Sequence, residues 1–452
     1  MIYRFFSFLL RLSLRVFFRR MEVEGLEKIP ESGPVIFLPN HVNALVDALV
    51  ILRYVKRPVY LTAKSTLAEY RVINYMMKSA QVIRFYRKQD QELGADRSKN
   101  VLALAECLQR MEEGSGLCIF PEGQSHSDPS LRPFRWGAAR LALKYNDSGS
   151  KAGSLKLLPV GLHFPHKGRF RSDVWVRFGE PVDVQRWKAS NPEGGPEDLT
   201  AEVERGVRKL TLNFEQREES VLLNWAAEVL VTGGLKPKRV GRRRTTVAQR
   251  QSLVMRMKES YDILARIRPG EIEKLRLRLI RYRSELKQLG LEPAEIYIVL
   301  NAWRATIFMI RELEVIVFGF PFAAWGALNH FIPYYLVRIV ALRFSREKDQ
   351  VATNVVFTGV VVFPIFYLVQ ITVTWLYLPA LWAGIYTLTL PFFGYLSLLY
   401  RDRVGAILQR GRAFMKFLWT PGLQKRLINE GRSIIEDLQR LGDELDGLGE
   451  EL

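Results

Sequence analysis

Cysteine is almost missing from this chain, with only Cys107 and Cys118 among 452 residues. A disulfide framework is therefore not expected, and a reducing, cytosolic environment is. Acidic residues are also in deficit, 47 against 66 lysines and arginines, for a formal net charge of +19. That excess calls for an anionic partner: nucleic acid, anionic lipid headgroups or a phosphorylated substrate. The basic run at 236–244 has six basic residues and no acid, but it lacks an aromatic stacking platform or a recognisable nucleic-acid module. It reads as an exposed loop near anionic lipid, and no nucleic-acid partner is expected. No Gly-x-Ser-x-Gly elbow is present, which argues against a serine nucleophile at Ser125. His163 and His166 have no Cys or carboxylate cluster to complete a metal site, so no metal is expected. The first twenty residues lack both an acid and an unbroken apolar centre, because Arg4, Arg11, Arg15, Arg19 and Arg20 interrupt the Phe and Leu residues. A cleavable signal peptide would need that centre, so 1–20 reads as a basic amphipathic helix in a membrane interface.

A chain this long exceeds one ordinary core. In 21–185, short apolar runs at 35–38, 59–61, 82–85, 117–120, 155–160 and 174–178 read as buried strands, and 44–54, 97–111 and 137–145 as helices. The expected fold is α/β, a central sheet flanked by helices, followed by a helical accessory region and C-terminal transmembrane helices. His41, Arg87 and Glu122 each follow the carboxyl end of a strand, the rim where open α/β sheets bind ligands. Residues 186–312 are charged and helix-prone. The stretch 351–400 carries no charged side chain over fifty residues, enough for two spans turning at Tyr377-Leu378-Pro379. The stretch 315–337 is also uncharged, but Gly319, Pro321, Asn329, His330 and Pro333 interrupt it. A third span there would place Arg338, Arg343, Arg346 and Lys348 on the far side, so a re-entrant segment is the preferred expectation and a full span the alternative. Arg401, Arg403, Arg410 and Arg412 make the other flank of 351–400 basic too, which puts both flanks on the cytoplasmic side. Residues 401–452 read as an amphipathic tail able to pack back on the accessory helices.

Two motifs carry the chemistry. Asn40-His41-Val42-Asn43-Ala44-Leu45-Val46-Asp47 follows one apolar run and sets an imidazole near a carboxylate. Such a pair can take a proton from an attacking hydroxyl, the acid steadying the imidazolium. Phe120-Pro121-Glu122-Gly123-Gln124-Ser125 follows another apolar run about 80 residues later. Together they resemble the glycerophospholipid acyltransferase family over about residues 25–185. The resemblance implies His41 as the base and Asp47 as its orienting acid. It implies Arg87 as a phosphate contact, Phe120, Pro121, Glu122 and Gly123 as the third motif at the substrate, Leu158-Pro159-Val160 as the fourth, and Arg135 as a second phosphate contact. The planar guanidinium fork suits phosphate oxygens. Five residues separate His41 from Asp47, where the commonest family form has four. On a continuous helix one more residue swings the acid by about 100°, so the extra residue must be absorbed in the loop before the helix. The wider spacing and the apolar C-terminal segments resemble the branch acting on glycerol-3-phosphate or dihydroxyacetone phosphate.

The implied reaction is direct transfer from acyl-CoA or acyl carrier protein to a hydroxyl of glycerol-3-phosphate or dihydroxyacetone phosphate, with no cofactor. Lysophosphatidate or another lysophospholipid is the alternative acceptor, and membrane lipids are partners. The expected location is an integral membrane protein with its catalytic domain on the cytoplasmic face, in the bacterial inner membrane ahead of the endoplasmic reticulum. A covalent route through Ser125 or Cys118, a non-catalytic membrane-binding scaffold and a transporter are the rival readings; intact His41, Asp47 and Glu122 oppose the scaffold, and the lack of intramembrane charge opposes the transporter.

Overall fold

The computed structural model describes residues 2–64, 82–86, 99–149, 152–234, 246–298, 302–345 and 347–450. Arg87, Arg346 and the basic run at 236–244 lie outside the described residues. The chain divides into two compact units, Met1–Glu215 with Leu336–Phe363, and Gln216–Tyr335 with Pro364–Leu452.

In the first unit, helix α1 (Ile2–Phe17) leads into β1 (Phe18–Glu24). There follow β2 (Val35–Pro39), α2 (Leu45–Tyr54), β3 (Val59–Lys64), β4 (Val82–Phe85), α3 (Asn100–Glu112), β5 (Gly116–Cys118) and α4 (Gly137–Asp147). Then come β6 (Lys156–His163), β7 (Ser172–Phe178), β8 (Val182–Asp183), α5 (Val184–Ser190) and α6 (Pro196–Arg208). The strands form one mixed sheet in the order β1-β7-β6-β2-β5-β3-β4, with β8 also on β6. From β6 to β4 every pairing is parallel, so these strands end on one edge.

Both faces of the sheet are covered, which is why its strands are continuous apolar runs. Val35 and Phe37 of β2 face one core with Val46, Val50 and Ile51 of α2 and Leu14 and Phe17 of α1. Ile36 and Leu38 face the other with Cys107 and Met111 of α3, Ala142 and Tyr145 of α4, and Leu199, Val203 and Val207 of α6. Because α6 buries that i, i+4, i+8 stripe on the sheet, it belongs to the first compact unit; the charges on the outer face of α6 conceal the stripe. Helix α1 likewise buries Leu14 and Phe17 while leaving Phe8, Arg11, Leu12 and Arg15 exposed. Arg19 and Arg20 are held by Asp173 of β7 at 3.0 and 2.7 Å. Burial alone would push the Asp173 carboxyl up, but hydrogen bonds from Arg20 and Arg19 hold it below its usual value.

The second unit holds α7 (Arg217–Gly234), α8 (Val247–Ile267), α9 (Pro269–Gln288) and α13 (Leu423–Glu450) around a core that includes Ala226, Tyr282, Leu286, Phe417, Leu427 and Ile434. The C-terminal tail thus packs on the accessory helices, with the Tyr282 hydroxyl donating to the Leu427 carbonyl at 2.8 Å. Three further helices, α10 (Ala302–Phe344), α11 (Val351–Tyr377) and α12 (Ala380–Trp419), each contain a segment long and apolar enough to cross a membrane. The segment 315–337 lies inside the unbroken α10 despite Pro321 and Pro333. Of the residues that interrupted its apolar pattern, Gly319, Asn329 and His330 are interhelical contacts. Within this unit Tyr386 donates to Asn329 Oδ1 at 2.7 Å, His330 bonds the Tyr367 hydroxyl at 2.7 Å, and Gly326 lies against the backbone of Phe393. Small residues and paired polar side chains are how helices associate in lipid.

Candidate active site

Helix α2 has no side-chain cap of its own, because Ala44 occupies the cap position. Ala44 adopts φ 47° and ψ −131°, a conformation L-residues rarely take. This turn absorbs the extra residue between His41 and Asp47, so that Asp47, in the first turn of α2, folds back toward the motif. One carboxylate oxygen, Oδ2, meets His41 Nδ1 at 2.9 Å and accepts from the backbone N–H groups of Val42 and Asn43, both at 2.8 Å. An acceptor at Nδ1 fixes the imidazole tautomer and leaves Nε2 as the basic nitrogen. Asp47 is fully buried and His41 is 17% exposed, so the ring is accessible and its acid is not. Burial pushes the Asp47 carboxyl above its usual value, and the hydrogen bond and charge of His41 offset part of the rise. Phe120 stacks on the His41 ring at 4.0 Å between centroids, setting the imidazole plane.

Glu122 belongs to this framework. Its Oε1 accepts the His41 backbone N–H at 2.6 Å; its Oε2 accepts the Arg132 N–H at 3.0 Å and is bonded to His126 Nε2. The buried Glu122, expected at the substrate, thus spends both oxygens on the protein, because it must join the first motif to the third. His126 was not anticipated. Its N–H donates to the His41 carbonyl at 3.1 Å, and its Nδ1 accepts the Asp128 N–H at 3.1 Å, which leaves Nε2–H to donate to Glu122. Its place at the end of the third motif was the available signal. Asn40 was a further omission: its side chain makes two bonds to the backbone of Leu162, tying the end of β2 to β6.

Pro121 and Gly123 shape a tight turn, in which the Gly123 N–H donates to the Phe120 carbonyl at 3.1 Å. Gly123 has φ 81°, and a Cβ there would lie 2.8 Å from Arg135 Nε. Glycine is required on both counts, and its absent side chain lets Arg135 lie against the third motif. Arg135 is exposed and, among the described residues, has no ion-pair partner. Leu158-Pro159-Val160 lies in β6 beside β2, with Pro159 opposite Leu38. Arg87 follows Tyr86, whose backbone N–H and C=O are both held by the Asn100 side chain at 2.8 Å. That anchor lies on the same sheet edge as His41, three strand spacings away or roughly 14 Å.

The nucleophile alternatives have little chemical basis. Burial pushes the Cys107 thiol up to about 12 and raises Cys118 as well, so neither supplies a thiolate. Ser125 donates its hydroxyl to Asp349. Among the described residues, no group of three or more His, Cys, Asp or Glu is placed to hold a metal ion. The first turns of α11 also reach this region. Thr353 Oγ1 accepts the Val46 N–H at 3.3 Å and donates to the Asn43 carbonyl at 3.4 Å, and Ala352 and Val356 enter the core beside α1 and α2.

The family profile described as Acyltransferase matches residues 20–163. Glycerol-3-phosphate O-acyltransferase 1 of Saccharomyces cerevisiae is 22% identical over 320 residues, 51% of this chain and 42% of that protein. Glycerol-3-phosphate O-acyltransferase 2 of the same yeast is 41% identical over 70 residues, 15% of this chain and 9% of that one. A 1-acyl-sn-glycerol-3-phosphate acyltransferase of Borreliella burgdorferi is 29% identical over 141 residues, 31% and 50% of the two chains. These matches span half or less of each relative's own length. The crystal structure of the 1-acyl-sn-glycerophosphate acyltransferase PlsC from Thermotoga maritima is similar at 24% identity and a TM-score of 0.35, over 46% of this chain and 77% of that one. The two motifs, their meeting on one edge of the sheet and the profile match agree: residues 20–163 form an acyltransferase domain.

Proposed function

We propose that this protein is a membrane-bound glycerolipid acyltransferase that acylates a hydroxyl of glycerol-3-phosphate, or of dihydroxyacetone phosphate, from acyl-CoA or acyl carrier protein. The observation that carries this reading is the His41–Asp47 couple, stacked on Phe120 and stitched to the third motif through Glu122. His41 Nε2 takes the hydroxyl proton as the oxygen attacks the thioester carbonyl. The ester C–O bond forms, the C–S bond breaks, and the imidazolium returns the proton to the departing thiolate. Asp47 steadies the imidazolium in a dry site, where its charge acts at close range. Arg135 and Arg87 are assigned to the acceptor phosphate.

The five-residue spacing between His41 and Asp47 and the long stretch of similarity to a yeast glycerol-3-phosphate O-acyltransferase favour the first acylation step. Similarity to the Borreliella enzyme favours lysophosphatidate as the second reading. The exposed face of α1, with Phe8 and Leu12 beside Arg11 and Arg15, suits an anionic bilayer surface. Helices α11 and α12 are read as the two spans, with the catalytic unit on the cytoplasmic face, where acyl-CoA and acyl carrier protein are supplied.

Purified, detergent-solubilised protein offered glycerol-3-phosphate, dihydroxyacetone phosphate and lysophosphatidate in parallel, with acyl-CoA or acyl carrier protein as donor, tests the assignment. The expected product is 1-acylglycerol-3-phosphate or its keto analogue. Phosphatidate alone would move the acceptor to lysophosphatidate, and no product with any pair would overturn the reading.

A further inference from the structure

Thr353 lies in the uncharged tract assigned to the membrane, and its hydroxyl bonds the backbone on either side of Ala44. It accepts the Val46 N–H at 3.3 Å and donates to the Asn43 carbonyl at 3.4 Å. We infer that Thr353 is a positioning residue for the His41–Asp47 couple, an N-cap supplied to α2 from a distant helix that clamps the strained turn at Ala44. This rests on the catalytic reading of that couple.

The need for a clamp follows from the local sequence. A helix start leaves its first N–H groups without partners, and Ser, Thr, Asp or Asn at the cap usually supplies an acceptor. Here the cap residue is alanine, which has none, and its φ of 47° is one an L-residue leaves unless its surroundings hold it. The turn also decides whether Asp47 reaches His41, since it absorbs the extra residue between them. Relaxing Ala44 would swing the start of α2 and carry the carboxylate off Nδ1. Thr353 bonds the two peptide groups that flank this turn.

The start of α11 is itself secured within the same unit. Asp349, four residues earlier and 1% exposed, accepts the Ser125 hydroxyl of the third-motif loop. Val351 closes over Gly168, and Ala352 and Val356 are buried in the core that includes Val46 and Leu14. Asp349 and Thr353 therefore connect one helix start to the third and first motifs respectively.

The test compares steady-state kinetics and melting temperature for the full-length protein carrying Thr353→Val, Thr353→Ser, Ala44→Gly, Ala44→Gly with Thr353→Val, Val356→Ala and His41→Ala. Thr353→Val keeps the shape and loses the hydroxyl. Its kcat should fall about 10- to 100-fold with both KM values unchanged, as expected for a misplaced catalytic group. Thr353→Ser should recover most of the loss. Glycine takes the Ala44 conformation without restraint, so the penalty of Thr353→Val should shrink several-fold on the Ala44→Gly background. Val356→Ala, which removes packing from the same helix, should lower the melting temperature and leave kcat near wild type. Unchanged kcat in Thr353→Val, or an equal penalty on both backgrounds, would overturn the clamp. So would a comparable kcat loss in Val356→Ala. If Thr353→Val does not fold, the comparison of Thr353→Ser with Val356→Ala decides. Should His41→Ala remain active, the catalytic reading itself fails; an inactive His41→Ala beside a fully active Thr353→Val removes the clamp alone.

Discussion

Asp47 is buried, ionisable and bonded through one oxygen to three donors, while Asp47 Oδ1 has no partner among the described residues. Because burial raises its carboxyl above the usual value, the folded protein binds that proton more tightly than the unfolded chain does. The contribution to stability is then fully present below the usual carboxylate value and is lost as pH rises through the raised folded value. Asp47→Asn cannot titrate. Its melting temperature relative to wild type should therefore increase as pH rises through that window, while its kcat falls about 10³- to 10⁴-fold, as when an orienting carboxylate is replaced by its amide. Thermal melts from pH 4 to 8 with parallel assays check both; full activity in Asp47→Asn would detach the acid from catalysis. His41, Asp47 and the Phe120–Gly123 turn were legible in sequence because chemistry demands those residue types at close spacing next to strand ends. Thr353 and Asp349 were not, since their partners lie about 300 and 220 residues away, at Asn43 and Val46 and at Ser125 respectively, in a tract whose lack of charge reads only as membrane. Glu122 was recognised by its motif, but a motif does not reveal that both oxygens are already engaged.

Among the elements, strands β2 and β5 declared themselves as apolar runs because both faces of the sheet are covered. Helix α6 did not, since its charged outer face hides the Leu199, Val203 and Val207 stripe that joins it to the catalytic unit. Helix α10 is the opposite case: its Gly, Asn and His residues read as breaks when taken alone and as contacts once α11 and α12 are beside them. Gly326 shows the geometry most clearly, because an added Cβ would run into the Phe393 backbone, which has no rotamer by which to retreat. Gly326→Ala should therefore cost about 1–3 kcal/mol through overpacking, read as a lower melting temperature in detergent. Gly359→Ala, where a Cβ meets nothing within 4 Å, should cost little. Equal stability in the two variants would contradict the close approach of α10 to α12.

For the molecule, the start of α11 packs within the first unit, so if α11 and α12 are the proposed spans, residues near 350 lie on the same side of the bilayer as that unit. The two proposed spans would then return the chain to the same side, in keeping with the arginines at 401, 403, 410 and 412. In a background lacking Cys107 and Cys118, single cysteines at 348 and 410 should react with an impermeant maleimide only from the cytoplasmic side, and one at 378 only from the other. Labelling of 348 and 410 from opposite sides would refute this topology. In the proposed mechanism His41 is the general base in direct acyl transfer. That role is tested most directly by the initial rate of acylglycerol-3-phosphate formation in matched, folded preparations of wild type and His41→Ala at saturating donor and acceptor. A loss of about 10²- to 10⁴-fold with an unchanged melting temperature is expected; a rate within a few-fold of wild type would rule out that role for His41.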